Sequence, residues 1–122
     1  MKAVLDTNVL VDYLVGDPRA QAELRRYRNP FISRITWMEI LVGVSDDETE
    51  AAAVRAFLGR FGLVEITEAV AEQAVQLRRE LRLRLPDAII LASARVEQCP
   101  LVTRNTRDFK PEWPDIRVPY ER

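Results

Sequence analysis

Four acidic residues stand where carboxylate chemistry could be assembled: Asp6, Glu39, Asp87 and Asp108. Asp6 interrupts two apolar runs in "AVLDTNVLVD". Glu39 lies in "ITWMEILVG", three residues after Thr36. Asp87 follows a proline in "LRLPDAIILASA", and Asp108 lies in "LVTRNTRDF". Carboxylates brought together repel one another. A hard divalent cation relieves the repulsion: Mg²⁺ takes oxygen ligands, keeps several waters and uses only one or two direct carboxylates. Water held that way is acidified and can attack a phosphodiester in line. The chain contains no histidine. That excludes Ser-His-Asp and Cys-His nucleophile systems and histidine-based cleavage of RNA. Carboxylates and a metal are the natural tools left to a hydrolase.

Each acid also has a purely structural reading. Aspartate is a preferred helix N-cap, which suits Asp6. "TWME" has capping-box spacing, pairing Thr36 with Glu39. Asp87 would sit at the second position of a helix, where the dipole favours a negative charge. Asp108 could be a solvated loop residue. Asp12, Asp46, Asp47 and Glu72 read as ordinary solvated or capping charges. What favours function is that all four acids stand at strand ends or helix starts.

The elements that place them follow from pattern. Lys2 to Leu5 reads as a short buried strand, Thr7 to Val15 as a helix broken by Gly16-Asp17-Pro18, and Pro18 to Arg28 as a second helix. Phe31-Ile32 is a second strand. Thr36 to Val44 is the next helix, with Glu39 on its first turn. Ser45 and Glu48 have capping-box spacing and open a helix to about Arg60. Leu63 to Ile66 is the third strand. Thr67 caps a helix with Val70, Ala74, Leu77 and Leu81 on one face. Pro86 starts a helix whose "AIILASA" stretch is apolar all round and so deeply buried. Leu101 to Thr103 and Ile116 to Val118 are the fourth and fifth strands. Alternating strands and helices predict an α/β fold: a parallel sheet of four or five short strands in a three-layer α/β/α sandwich. Ligands bind such sheets beyond the carboxyl ends of the strands, near a switch in strand order.

A chain of 122 residues is expected to form one domain over 1–122 and to bury a core without staples. No apolar run approaches the ~18 residues of a membrane span, and no signal peptide is read at the N-terminus. One cysteine, Cys99, excludes an internal disulfide framework and a cysteine-rich zinc site, and a reducing cytoplasm fits best. Net charge is −1, so charge alone does not announce a nucleic-acid binder. Of the 18 basic residues only Lys2 and Lys110 are lysine. Arginine suits bidentate phosphate contacts, though an arginine-favouring genome explains the bias equally well.

The segments "VLDTNVLVDYL", "ITWMEILVG", "LRLPDAIILASA" and "LVTRNTRDF" resemble the four signature segments of PIN-domain ribonucleases. The resemblance runs from about residue 3 to about residue 119 and is closest to the VapC-type toxins of toxin–antitoxin pairs. It implies a PIN-like fold and a Mg²⁺- or Mn²⁺-dependent endoribonuclease acting on RNA, a cognate antitoxin protein as partner, and a homodimer. Asp6, Glu39 and Asp87 match the family's main acidic positions. The fourth acid stands at Asn105 in many members and at Asp108 in others, so this position stays open. Asp6 and Asp87 are expected to touch the metal, with Glu39 and Asp108 acting through water. Thr7, Asn8 and Thr103 are candidate supporting groups. Arg104 and Arg107 flank the site and are candidates for the RNA backbone. Trp37 reads as core or dimer interface and Trp113 as a surface latch; either could instead stack a base. The rival readings are a catalytically silent PIN-like binding module, a DNA-cutting relative, and a phosphoacceptor receiver domain. The last needs a lysine near the final strands, and Lys110 is the only candidate.

Overall fold

Strand β1 (Lys2–Leu5) is apolar after Lys2, and its last three residues are fully buried because it runs through the middle of the sheet. The computed structural model describes residues 1–121. After β1 come α1 (Thr7–Leu14), α2 (Pro18–Arg25), β2 (Asn29–Ser33), α3 (Arg34–Val42), α4 (Glu48–Leu58), β3 (Gly62–Val64), α5 (Glu68–Leu81), α6 (Leu85–Val96), β4 (Leu101–Val102) and β5 (Ile116–Arg117). All the strand pairs are parallel, in the order β3-β2-β1-β4-β5. The chain builds outward from β1 twice, first to β2 and β3, then to β4 and β5. Between β1 and β4 lies the switch point of the sheet. There Val4 pairs with Leu101, Leu5 with Val102, and the Asp6 N–H donates to the Val102 carbonyl at 2.9 Å. Asp6 and Thr103 therefore leave neighbouring strands side by side, where open α/β sheets bind ligands.

Helices cover both faces, as the three-layer expectation requires. On one face Val70, Ala74 and Leu77 of α5 pack with Ala88, Ile90 and Leu91 of α6 and with Phe109. On the other, Val9 and Leu10 of α1 meet Ile40, Val54, Phe57 and Leu58. The apolar stretch of α6 is buried almost all round, and each fully buried Leu or Ile there contributes about 1.5–3 kcal/mol. Such a helix cannot slide without exposing that surface, so Asp87 at its start is held rigidly. The register of β2 against β3 has a specific requirement at Gly62. A Cβ there would lie 2.5 Å from Phe31 Cε2. Among the described residues no helix is long and apolar enough to cross a membrane.

Boundaries differ from expectation where two residues compete to cap a helix. Helix α3 begins at Arg34, directly off β2, because the Ser33 side chain accepts from the Ile35 N–H at 3.2 Å. Thr36 is thus inside the helix and fully buried; no capping box forms with Glu39, which lies in the second turn. Asp47, not Ser45, caps α4, accepting from the N–H groups of Thr49 and Glu50. Thr67 caps α5 as expected. Helix α6 starts at Leu85 without a side-chain cap, so Asp87 is its third residue rather than its second.

Candidate active site

The Asp6 carboxylate is 4% exposed and is fixed by three donors. Oδ1 accepts from the Thr7 N–H at 2.7 Å, which caps α1. Oδ2 accepts from the Thr103 hydroxyl at 2.8 Å and from the Asn8 side-chain amide at 3.2 Å. So Asp6 is an N-cap, as its structural reading had it, and its second oxygen is held as well. The Asn8 carbonyl oxygen in turn accepts from the Arg104 N–H at 3.3 Å. This fixes the sense of the Asn8 amide, since the reverse orientation would set its carbonyl against a carboxylate. The Thr103 hydroxyl also accepts from the Asn105 N–H at 2.9 Å.

Three further acids stand around Asp6. The Thr7 hydroxyl donates to Glu39 Oε1 at 2.7 Å and lies 3.1 Å from the Thr36 hydroxyl, tying α1 to α3. The Asn105 amide donates to Asp108 Oδ2 at 3.0 Å, and the Asp108 N–H returns to Asn105 Oδ1 at 3.3 Å. Asn105 therefore orients Asp108, and the negative charge of this segment sits on Asp108. Asp87 Oδ2 is 3.4 Å from two nitrogens of Arg84, a side chain that is 78% exposed; so exposed a pair is worth little.

Burial first, and neighbouring negative charge second, raise two of the acids. Burial pushes the Asp6 carboxyl up to about 6; the Thr103 and Thr7 donors pull against this, and the charges of Asp87 and Glu39 add to the rise. Burial also raises Asp87 above the ordinary carboxylate range. Arg84 opposes that shift, and Asp108 and Glu39 reinforce it. Yet among the described residues no three or more Asp, Glu or Cys side chains stand close enough together to hold a metal ion by themselves. The donor set fits a hard cation that keeps its waters and takes one or two carboxylates directly. It does not fit zinc held by protein alone, which wants three or four nitrogen or sulfur ligands.

Of the residues expected at the site, Asp6, Thr7, Asn8, Glu39, Thr103, Asn105 and Asp108 are joined by hydrogen bonds, and Asp87 faces them through its charge. Arg107 is exposed. Arg104 turns away from solvent: its guanidinium forks onto Asp12 at 2.6 and 3.1 Å. Asp12 is 1% exposed, which corrects its reading as an ordinary solvated charge. The signal was present, because Asp12 lies three residues after Val9 and so shares the buried face of α1. Trp37 is partly buried against the α1–α4 core, with the guanidinium groups of Arg34 and Arg55 over its ring. Trp113 packs against the α5–α6 core, as a latch should. Lys110, the one candidate for the lysine of a receiver domain, is exposed and donates to the Arg107 carbonyl.

Comparison with known proteins agrees with this fold. A family model for the PIN domain matches residues 3–110. A toxin–antitoxin complex from Klebsiella pneumoniae contains a chain 40% identical to this one, with a TM-score of 0.91, covering 98% of this chain and 99% of that one. A DNA-bound VapBC from Salmonella typhimurium is 26% identical (TM-score 0.82; 97% and 96% covered). VapBC2 from Rickettsia felis, bound to a DNA fragment from its promoter, is 25% identical (TM-score 0.79; 95% and 96% covered). No curated protein sequence gave a significant match. With the family model matched over residues 3–110 and a 40% identical chain covered almost from end to end, the chain belongs to the PIN-domain family, as a member of its VapC-type toxin group.

Proposed function

We propose that this protein is a Mg²⁺- or Mn²⁺-dependent endoribonuclease that hydrolyses RNA phosphodiester bonds and serves as the toxin of a type II toxin–antitoxin pair. The observation that carries the reading is the hydrogen-bonded network that links Asp6, Glu39 and Asp108 at the sheet's switch point, with Asp87 near enough to act on Asp6 through its charge, in a chain without histidine. Asp6 and Asp87, the two raised by burial and by like charge, would hold the cation. Bound there, it would supply charge neutralisation for the phosphate and acidify a water. Glu39 and Asp108 lie on either side and would orient that water and the substrate. Thr7 and Asn105 hold these two acids, while Asn8 and Thr103 hold Asp6. Arg107, exposed beside Asp108, would meet the RNA backbone. Asp12 occupies the Arg104 fork, so we assign Arg104 a positioning part.

A protein antitoxin is the expected partner, since the similar chains from Klebsiella and Salmonella were solved in such complexes. A homodimer is part of the same proposal. A silent binding module is disfavoured because all four acids are present in the sequence. The test is purified protein with a panel of RNAs and single-stranded DNA. Cleavage of RNA with Mg²⁺ or Mn²⁺, abolished by EDTA, is expected. Metal binding without cleavage of any RNA would favour the silent module, and cleavage of DNA alone would overturn the substrate assignment.

A further inference from the structure

Two buried carboxylates in this protein are held in the same way. Glu23 accepts a fork from Arg117 at 2.7 and 2.9 Å and the Tyr27 hydroxyl at 2.6 Å. Asp12 accepts a fork from Arg104 at 2.6 and 3.1 Å and the Tyr120 hydroxyl at 2.8 Å. The Glu23 group joins α2 to β5; it meets the site only through the β4–β5 backbone ladder, where the Thr103 N–H donates to the Arg117 carbonyl at 3.0 Å, and its side chains bond none of the four acids. The Asp12 group is different. Arg104 follows Thr103 directly, and its N–H donates to Asn8, whose amide donates to Asp6. A shift of Arg104 therefore reaches Asp6 along both Asn8 and Thr103. Tyr120 is itself clamped: the Arg19 guanidinium lies 4.8 Å from its ring centroid and donates to the Glu121 carbonyl at 2.8 Å, while Asp17 holds Arg19 at 3.0 Å.

We propose that segment 118–121 is part of the active centre, bracing it from behind through Tyr120, Asp12 and Arg104, which act as positioning residues for Asn8 and Asp6. The proposal rests on reading the four acids as the active centre. Its physical basis is that a carboxylate accepting a fork has one preferred plane. The Tyr120 hydroxyl on Asp12 Oδ2 fixes that plane, and with it the place of Arg104. Outer partners of this kind typically change metal affinity or activity by roughly 10–100-fold when removed. Here the brace comes from the far end of the chain, so residues with no contact to substrate or metal would set the geometry of the site.

The two carboxylate groups supply a matched control. Tyr120→Phe and Tyr27→Phe each remove one hydroxyl from a buried carboxylate and leave its arginine fork in place, so both variants should fold and lose similar melting temperature. The full-length variants are compared by amide hydrogen exchange, by Mn²⁺ titration and by RNA cleavage. In Tyr120→Phe, exchange at the Arg104 N–H and the shift of the Asn8 side-chain amide should change. Mn²⁺ affinity should fall by about 10-fold, and kcat should fall with KM little altered. Tyr27→Phe should leave all four readouts at the parent values. Arg104→Lys, which keeps the charge but not the fork, should repeat the Tyr120→Phe pattern more strongly. If the two phenylalanine variants behave alike at Arg104 and Asn8, the brace is overturned. If Tyr120→Phe alters Arg104 and Asn8 while the parent cuts no RNA, the brace stands and the nuclease reading fails.

Discussion

The charge on Asp6 should make the metal-free protein less stable as pH rises, and Asp6→Asn isolates that cost. The carboxyl is pushed from 3.8 to about 6 in the folded protein; two pH units of displacement correspond to about 3 kcal/mol. Below about pH 4 the group is protonated in both states and contributes nothing. Between about pH 4 and pH 6 the folded protein keeps a proton that the unfolded chain has lost, so stability falls across that window. Above it the full penalty remains. Asparagine carries no such penalty. Its oxygen can keep the Thr7 cap, but its NH₂ replaces the oxygen that accepted from Thr103 and Asn8, which costs about 1–3 kcal/mol at every pH. These two effects oppose each other in the offset between variant and parent, and only the charge penalty changes with pH. The variant should gain about 3 kcal/mol on the parent between pH 4 and pH 6.5. In a chain of 122 residues that is roughly 12 °C in melting temperature. The assay is thermal or urea unfolding of both proteins in EDTA over that range. A difference that stays flat with pH would refute the picture of a buried, crowded carboxylate.

Mn²⁺ should raise the parent's melting temperature by roughly 10 °C at a concentration a hundred times its Kd, and Asp6→Asn and Asp87→Asn should lose most of that rise in the same melts. Arg117→Ala should lower stability by about 3–5 kcal/mol in urea unfolding, because it takes the fork from the buried Glu23 carboxylate. Gly62→Ala should cost about 1–3 kcal/mol in the same assay, since its methyl must displace the Phe31 ring.

Asp6 and Asp87 could be placed from local pattern, because each falls where a strand ends or a helix starts, whereas Glu39 lies a turn further into α3 than its pattern predicts. The sheet was legible for the same reason: short apolar runs alternate with helical periods, and only the parallel arrangement connects them. Errors arose where two residues could do one job. Ser33 and Thr36 both cap helices well, as do Ser45 and Asp47, and the choice depends on where the preceding strand stops. Asp12 was missed for another reason. Its partners are 92 and 108 residues away in sequence, and no local rule pairs them. The burial of its helix face was the one clue. The part played by Asn105 was likewise hidden, since an amide that orients a neighbouring acid looks the same in sequence as one that replaces it.

The chemistry of the RNA ends tests the central claim most directly. Hydrolysis by water at phosphorus leaves a 5′-phosphate and a 3′-hydroxyl, and the parent protein with Mn²⁺ should produce only these, while Asp87→Asn should produce almost no cut RNA. Ends bearing a 2′,3′-cyclic phosphate would show that the ribose hydroxyl was the nucleophile and would contradict the account, as would undiminished cleavage by Asp87→Asn in EDTA.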